Sequence, residues 1–237
     1  MNITGDYHTH SKYSKNNHGK NTIKEMVDYA SELGLVSYGV SDHGPKHIFF
    51  GIKRKNIEKA RQEVDKIKEN SKIKVYFGIE ANLIGKDGSI DLSSEEIKKL
   101  DILLVGYHKG TITDFVNPFR MLFNPKKQKL INTLAYLNML DKYHVDIITH
   151  LNEYIKVDVY KVAAKAKEKG TLIELNNKHI RFNDEEAKQL IDSGCNFILS
   201  SDAHKKKNIA KLDRALEFVL KYNIPLERIV NVDKLYK

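Results

Sequence analysis

Seven times along 237 residues a short apolar run, rich in β-branched side chains, gives way to a polar cluster and then to a helical pattern. That alternation predicts βα units and a parallel sheet, because strands joined through helices run in the same direction. The runs fall at 3–8, 36–40, 74–83, 102–106, 146–149, 171–175 and 196–199. Thr22 and Glu25 form the sequence signature of a capping box, and Ile23, Met26, Val27, Ala30 and Leu33 give the helix that follows its apolar face. Further helices are expected at about 53–69, from Ser93 or Ser94, and at 125–143, 157–169, 184–193 and 209–222, with an extended piece at 228–232. Residues 111–124 read as an irregular loop carrying Phe115, Phe119 and Phe123 beside the site. The four prolines, at 45, 118, 125 and 225, mark no linker, so residues 1–237 are expected to be one domain. Seven βα units suit a closed barrel at this length. An open doubly wound sheet is the alternative, and it lacks a GxGxxG phosphate loop after the first run.

Chemistry-bearing residues gather where the runs end. His8 and His10 close the first and, being two apart, face the same side of a strand. Asp42 and His43 follow the second run, Glu80 lies in the third, and His108, His150 and the pair Asp202 and His204 follow the fourth, fifth and seventh. Six of the ten histidines occupy such positions, and His18 in the first loop is a seventh candidate. In an αβ barrel functional residues collect at that one face. Imidazole and carboxylate ligands without thiolate suit Zn²⁺, Mn²⁺ or Fe²⁺. Nine groups exceed the needs of a single ion, which implies two or three divalent ions with Glu80 as the bridging carboxylate. Ions of this kind acidify water and neutralise charge on a phosphoryl group, so metal-assisted hydrolysis is the expected reaction.

The stretches HTHS at 8–11, SDHG at 41–44, GIEAN at 78–82, GYH at 106–108 and SDAH at 201–204 resemble, in order, the motifs of the PHP (polymerase and histidinol phosphatase) superfamily. The likeness spans nearly the whole chain and is greatest to the small stand-alone bacterial phosphatases of that family. It implies an α/β fold, a distorted seven-stranded TIM-like barrel, with a trinuclear site at the C-terminal face of the strands. Carried over residue by residue, His8, His10, Glu80 and Asp202 hold one ion. Glu80, His108 and His150 hold the second, and His18, His43 and His204 the third. Glu80, Asp202 and His43 are then the catalytic core. Two departures stand out: the gap from His10 to His18 is slightly long, and His150-Leu151-Asn152 replaces the His-Pro-Gly common among related phosphatases. The amidohydrolase group also opens with paired histidines, but SDHG and SDAH favour the PHP reading.

Around that centre, Lys109, Asn176, His179 and Arg181 are the candidate substrate contacts. Asp42 reads as a partner orienting a ligand histidine or as a helix cap. His47 and His144 read as ordinary histidines, and Cys195 as core. The expected activity is a histidinol-phosphatase-like phosphomonoesterase using a metal-bound hydroxide on a small phosphorylated substrate. One alternative is a PHP-type nuclease, which a net charge of +9 would suit, although the basic residues are not interleaved with aromatics. The other is a silent metal-binding module. A single cysteine excludes an intrachain disulfide and a thiolate zinc site. Neither a signal peptide nor a membrane-spanning run is evident, so a cytoplasmic location without membrane contact is expected.

Overall fold

The computed structural model describes residues 2–233. Seven strands, β1 (Gly5–Asp6), β2 (Ser37–His43), β3 (Lys74–Asn82), β4 (Ile102–Gly106), β5 (Ile147–Ile148), β6 (Leu172–Asn176) and β7 (Phe197–Ser200), lie side by side in chain order. Every neighbouring pair is parallel. The helices are α1 (Ile23–Glu32), α2 (Arg54–Lys68), α3 (Ser94–Ile97), α4 (Pro118–Phe123), α5 (Pro125–Lys142), α6 (Val159–Lys169), α7 (Asp184–Asp192) and α8 (Asp213–Lys221).

The sheet nearly closes on itself. Thr9 and Ala203 form a parallel bridge between the ends of β1 and β7, and His10 N donates to Ala203 O at 2.8 Å. Below that bridge Asn231 fills the seam. Its Nδ2 donates to Gly5 O and Leu199 O at 2.8 and 2.7 Å, and its Oδ1 accepts from Leu199 N at 3.0 Å. One side-chain amide thus serves backbone groups that a longer first strand would have paired. The structure is therefore the barrel, not the open sheet.

Alternation along each strand builds two layers. Ile173, Leu175, Phe197, Leu199, Leu103 and Val105 point outward into the large core beneath the helices. Leu104, Ile147 and Ile198, with Tyr7, Ile102 and Leu172, plug the bottom of the barrel. Two residues further along the same inward stripes the chemistry changes. Leu172 is followed by Glu174 and Asn176, and Ile198 by Ser200 and Asp202. A seven-stranded barrel is narrow, and Gly78 makes room for the plug: a Cβ there would stand 2.7 Å from Ile102 Cγ1. Gly106 does the same higher up, where a Cβ would meet His150 Cε1 at 2.7 Å.

Local sequence signals explain the helices and most of their ends. The Thr22–Glu25 capping box forms as expected, and Ser93–Glu96 and Asn183–Glu186 make two more. Residues 111–124 are not simply irregular. Asn117 caps α4 with Pro118 in its first turn, and Asn124 caps α5 with Pro125 in the same role. The repeated Asn-Pro starts two helices instead of breaking one. Phe115 lies in the core and not beside the site, whereas Phe119 and Phe123 are exposed. The last helix begins at Asp213, later than the pattern suggested. Ala210 sits at φ 57° and donates its N–H to Asp6 Oδ2 at 2.9 Å, a left-handed turn that helix cannot pass through. Cys195 is buried, as read. No helix among the described residues is long and apolar enough to cross a membrane.

Candidate metal centre

Glu80 is the hub. It is wholly buried at the C-terminal end of the barrel interior. Its Oε1 lies 2.7 Å from His150 Nε2 and 3.0 Å from His108 Nε2. Its Oε2 lies 2.9 Å from His43 Nδ1, 3.1 Å from His8 Nε2 and 3.8 Å from His10 Nε2. Five imidazoles from four strand ends therefore aim at one carboxylate. Asp202 stands beside it, with Oδ1 3.3 Å from His10 Nε2 and 3.4 Å from His204 Nδ1. His18 completes the upper side: its Nε2 is 3.4 Å from His43 Nε2, its ring meets His204 edge-on at 4.1 Å, and Phe50 stacks on it at 3.8 Å. All nine residues expected to ligate thus meet in one cluster.

Backbone geometry marks the same place. His150 and Asp202 adopt φ of 31° and 53°, a region non-glycine residues enter only under constraint. Both follow a strand end by two residues, and the turn points each side chain back over the barrel mouth.

Burial dominates the electrostatics of several imidazoles in the cluster. Burial and the neighbouring His43 and His204 hold His10 well below the usual imidazole range. Burial also lowers His18, His43 and His204 to about 4. Neutral imidazoles with free lone pairs result at neutral pH, the form that binds metal. Burial would raise Glu80 and Asp202, but the surrounding imidazoles outweigh it and keep both ionised. His8 and His150 are the exceptions: against their burial, Glu80 and Glu174 raise both.

Several of these atoms have no hydrogen-bond partner although buried: His8 Nε2, both ring nitrogens of His10, His43 Nδ1, Glu80 Oε2 and His108 Nδ1. Each such group costs about 1–3 kcal/mol when left unsatisfied. A divalent cation is the chemistry this donor set fits. Three trios of ligand atoms lie within 4.8 Å of one another: His8, His10 and Asp202; His43, Glu80 and His108; and His10, His43 and His204.

The supporting residues were only partly visible in the sequence. Glu174, which no motif flagged, is buried on β6; its Oε1 is 2.6 Å from His8 Nδ1, and its Oε2 accepts from His150 N at 2.8 Å. A carboxylate only accepts, so His8 Nδ1 carries a proton towards Glu174, and Nε2 faces Glu80. The sequence offered only a weak signal, a single acid in the run Leu172–Asn176. Asp42 caps no helix. It accepts from Ser11 N at 2.8 Å, Ser11 Oγ at 2.6 Å and Ser14 Oγ at 2.5 Å, bracing the loop that leads from His10 to His18.

Above the cluster opens a cavity of about 510 Å³. Lys109 and His179 line it, and so do Lys178, Tyr154 and Phe50, which sequence reasoning passed over. His47, read as ordinary, also lines it; burial lowers its imidazole to about 3. His144 is exposed near Asp146, as an ordinary surface histidine would be. Asn176 is buried below the cavity, its Oδ1 accepting from Lys178 N and His179 N at 2.9 and 3.2 Å. Arg181 lies outside the lining, 70% exposed, with Nε 3.1 Å from Glu153 Oε1.

Comparison with known proteins agrees with this geometry. The PHP domain model matches residues 6–204. A protein of Clostridium novyi (strain NT) described as a probable phosphatase is 31% identical, over 97% of this chain and 90% of its own length. One from Thermoanaerobacter sp. (strain X514), described in the same way, is 29% identical over 98% and 92%. Among solved structures, a histidinol phosphate phosphatase from Lactococcus lactis subsp. lactis Il1403, complexed with zinc, L-histidinol and phosphate, shares the fold. Its TM-score is 0.61 at 15% identity, covering 94% of this chain and 95% of that one.

Proposed function

The chain belongs to the PHP domain family, and we propose that it is a metal-dependent phosphoesterase acting on a small phosphate monoester. The observation that carries this reading is Glu80: a fully buried carboxylate with His8, His43, His108 and His150 each within 3.1 Å. In this reading His8, His10, Glu80 and Asp202 hold one ion. Glu80, His108 and His150 hold a second, and His18, His43 and His204 a third. Bound there, divalent ions would supply an acidified water and would neutralise charge on the phosphoryl group. Water adds to phosphorus, the phosphorus–oxygen ester bond breaks, and the alcohol leaves with a proton.

The chain's own groups do the rest. Lys178 and His179 flank Asp202 on the cavity side, where a phosphoryl oxygen would sit: Lys178 Nζ is 2.8 Å from His204 Nδ1 and 3.5 Å from Asp202 Oδ1, and His179 Nε2 is 3.6 Å from Asp202 Oδ2. Asn176 positions both through their backbone N–H groups. Lys109 faces the alcohol portion, and Arg181 acts through Glu153 on His179. The barrel mouth, half-enclosed by Phe50 and Tyr154, limits access of bulk water.

Phosphate release decides the matter, with metal content determined on the same sample. The panel is histidinol phosphate, which the family resemblance implies, with a nucleoside phosphate, an aryl phosphate and single-stranded DNA. Two or three ions per chain with turnover of a small ester are expected. Bound metal with release only from DNA ends would replace the reading by a nuclease. Bound metal without turnover under Zn²⁺, Mn²⁺ and Fe²⁺ would leave a silent binding module.

A further inference from the structure

The charge of the cavity above the cluster is divided by depth, lysines in the upper wall and carboxylates at the floor. Lys109 and Lys178 line it together with His179. Its lining carboxylates are Glu80 and Asp202 alone, both at the floor and both surrounded by imidazoles. Glu153 stands outside the lining, behind His179 and Arg181: Oε1 lies 3.1 Å from Arg181 Nε and 3.4 Å from His179 Nδ1, Oε2 is buried without a hydrogen-bond partner, and the side chain is only 3% exposed. An ammonium group on a substrate's alcohol portion would therefore find no carboxylate in the lining above the floor to receive it.

An aromatic face is the other place a cation can rest. Tyr154 offers one, but Lys109 Nζ already sits over it, 5.5 Å from the ring centre. Among the described residues no carboxylate lies within ion-pair distance of Lys109, so its charge faces the mouth uncompensated by a neighbour. A second cation entering there meets repulsion in a partly desolvated space, where charges act more strongly than in water.

We propose that the cavity selects phosphate monoesters whose alcohol portion is neutral or anionic, and rejects those whose alcohol carries an ammonium group. Lys109 is the residue that sets this selection. The inference rests on the phosphoesterase reading for its substrate chemistry, but its charge rule applies to any phosphoryl compound seated in the cavity. It sets aside amino-alcohol phosphates, histidinol phosphate among them, in favour of phosphorylated hydroxy acids, polyols or compounds with a second phosphate.

Non-hydrolysable phosphonates of matched length test the rule on the metal-loaded protein by calorimetry. The expected order of affinity is 3-phosphonopropionate, then propylphosphonate, then 3-aminopropylphosphonate, with about tenfold or more between first and last. Lys109→Glu should collapse or reverse the order. Lys66→Glu changes net charge equally, on the exposed face of α2, and should leave the order intact. Equal or tighter binding of the aminophosphonate overturns the proposal. So does an order that Lys66→Glu shifts as far as Lys109→Glu, or failure of all three compounds to bind. Hydrolysis of 3-phosphoglycerate, glycerol 3-phosphate and phosphoethanolamine, run in parallel, keeps the two readings apart. Release from none of them, with the phosphonate order intact, would retire the phosphoesterase and leave the charge selection standing.

Discussion

The two ends of the barrel interior are made by the same strands and have opposite physics. At the bottom Tyr7, Ile102, Leu104, Ile147, Leu172 and Ile198 pack as a dry plug that stabilises the fold by burial. Two residues higher, the same inward stripes carry carboxylates and imidazoles whose polar atoms are buried and in part unpartnered. The upper end costs stability and the lower end offsets it. A barrel can hold a costly cluster because its floor and its outer layer do not depend on that cluster.

The largest effect is expected where the comparison is sharpest. Glu80→Ala removes the group on which four imidazoles converge. It should lower phosphate release at least about a thousandfold and reduce bound metal, while circular dichroism stays native. Ile147→Ala, whose register partners Leu104 and Leu172 are themselves plug residues, should do the reverse. It should cost about 2–5 kcal/mol in denaturant unfolding and leave metal content unchanged below its melting range. Loss of metal in Ile147→Ala, or unchanged turnover in Glu80→Ala, would dissolve the division between the two ends.

Glu174 tests the boundary between them, since it sits one inward position above Leu172 and touches two ligand residues. Glu174→Ala frees His8 Nδ1 and His150 N together. Its expected cost is about 10–100-fold in metal affinity. Glu174→Gln, which keeps an acceptor, should recover part of that loss. A purely structural role would instead lower the melting temperature of both variants and leave metal affinity alone.

That boundary is also where the sequence stopped being readable. Helices with self-contained signals were legible, as Thr22–Glu25 shows. The side chains that gather around Glu80 and Asp202 were legible because, His18 apart, each sits on or just beyond the end of a strand. Glu174 was not, because a lone acid within a strand looks the same whether it faces a site or a solvent gap. His47 and Lys178 were missed for a related reason: they enter the cavity through loops, and loop conformation depends on partners far away in sequence. The seam was equally opaque. Nothing in residues 228–232 signals that Asn231 will bond Gly5 and Leu199 across the ends of the sheet. One Asn-Pro step misled in the opposite direction: Asn117-Pro118 starts a helix inside a stretch read as loop, whereas the helix from Pro125 begins where it was read.

The two ends should also differ in the sign of their pH dependence, a smaller effect that is measurable on metal-free protein. Near the top, burial pushes Asp42 up to about 6 despite its bonds to Ser11 and Ser14. Between the ordinary value of 3.8 and about 6 the folded chain binds more protons at this group than the unfolded chain, so its contribution falls as pH rises through that window. At the bottom Asp101 precedes β4. Its Oδ2 accepts from Phe77 N and Lys68 Nζ at 2.8 Å and from Arg61 Nη1 at 2.9 Å, and against partial burial these partners hold it below 3.8. Its stabilisation is full above 3.8 and is lost as pH falls through the lowered value. The melting deficit of Asp101→Asn should therefore be greatest at neutral pH and shrink towards strong acid. Removing the charge with Asp42→Asn should do least harm above pH 6, where the native carboxylate is itself least favourable. The two difference curves should slope in opposite directions. Parallel curves would mean that the carboxylates at both ends are governed by net charge alone, and the contrast between a costly top and a supporting bottom would fail for its ionised groups.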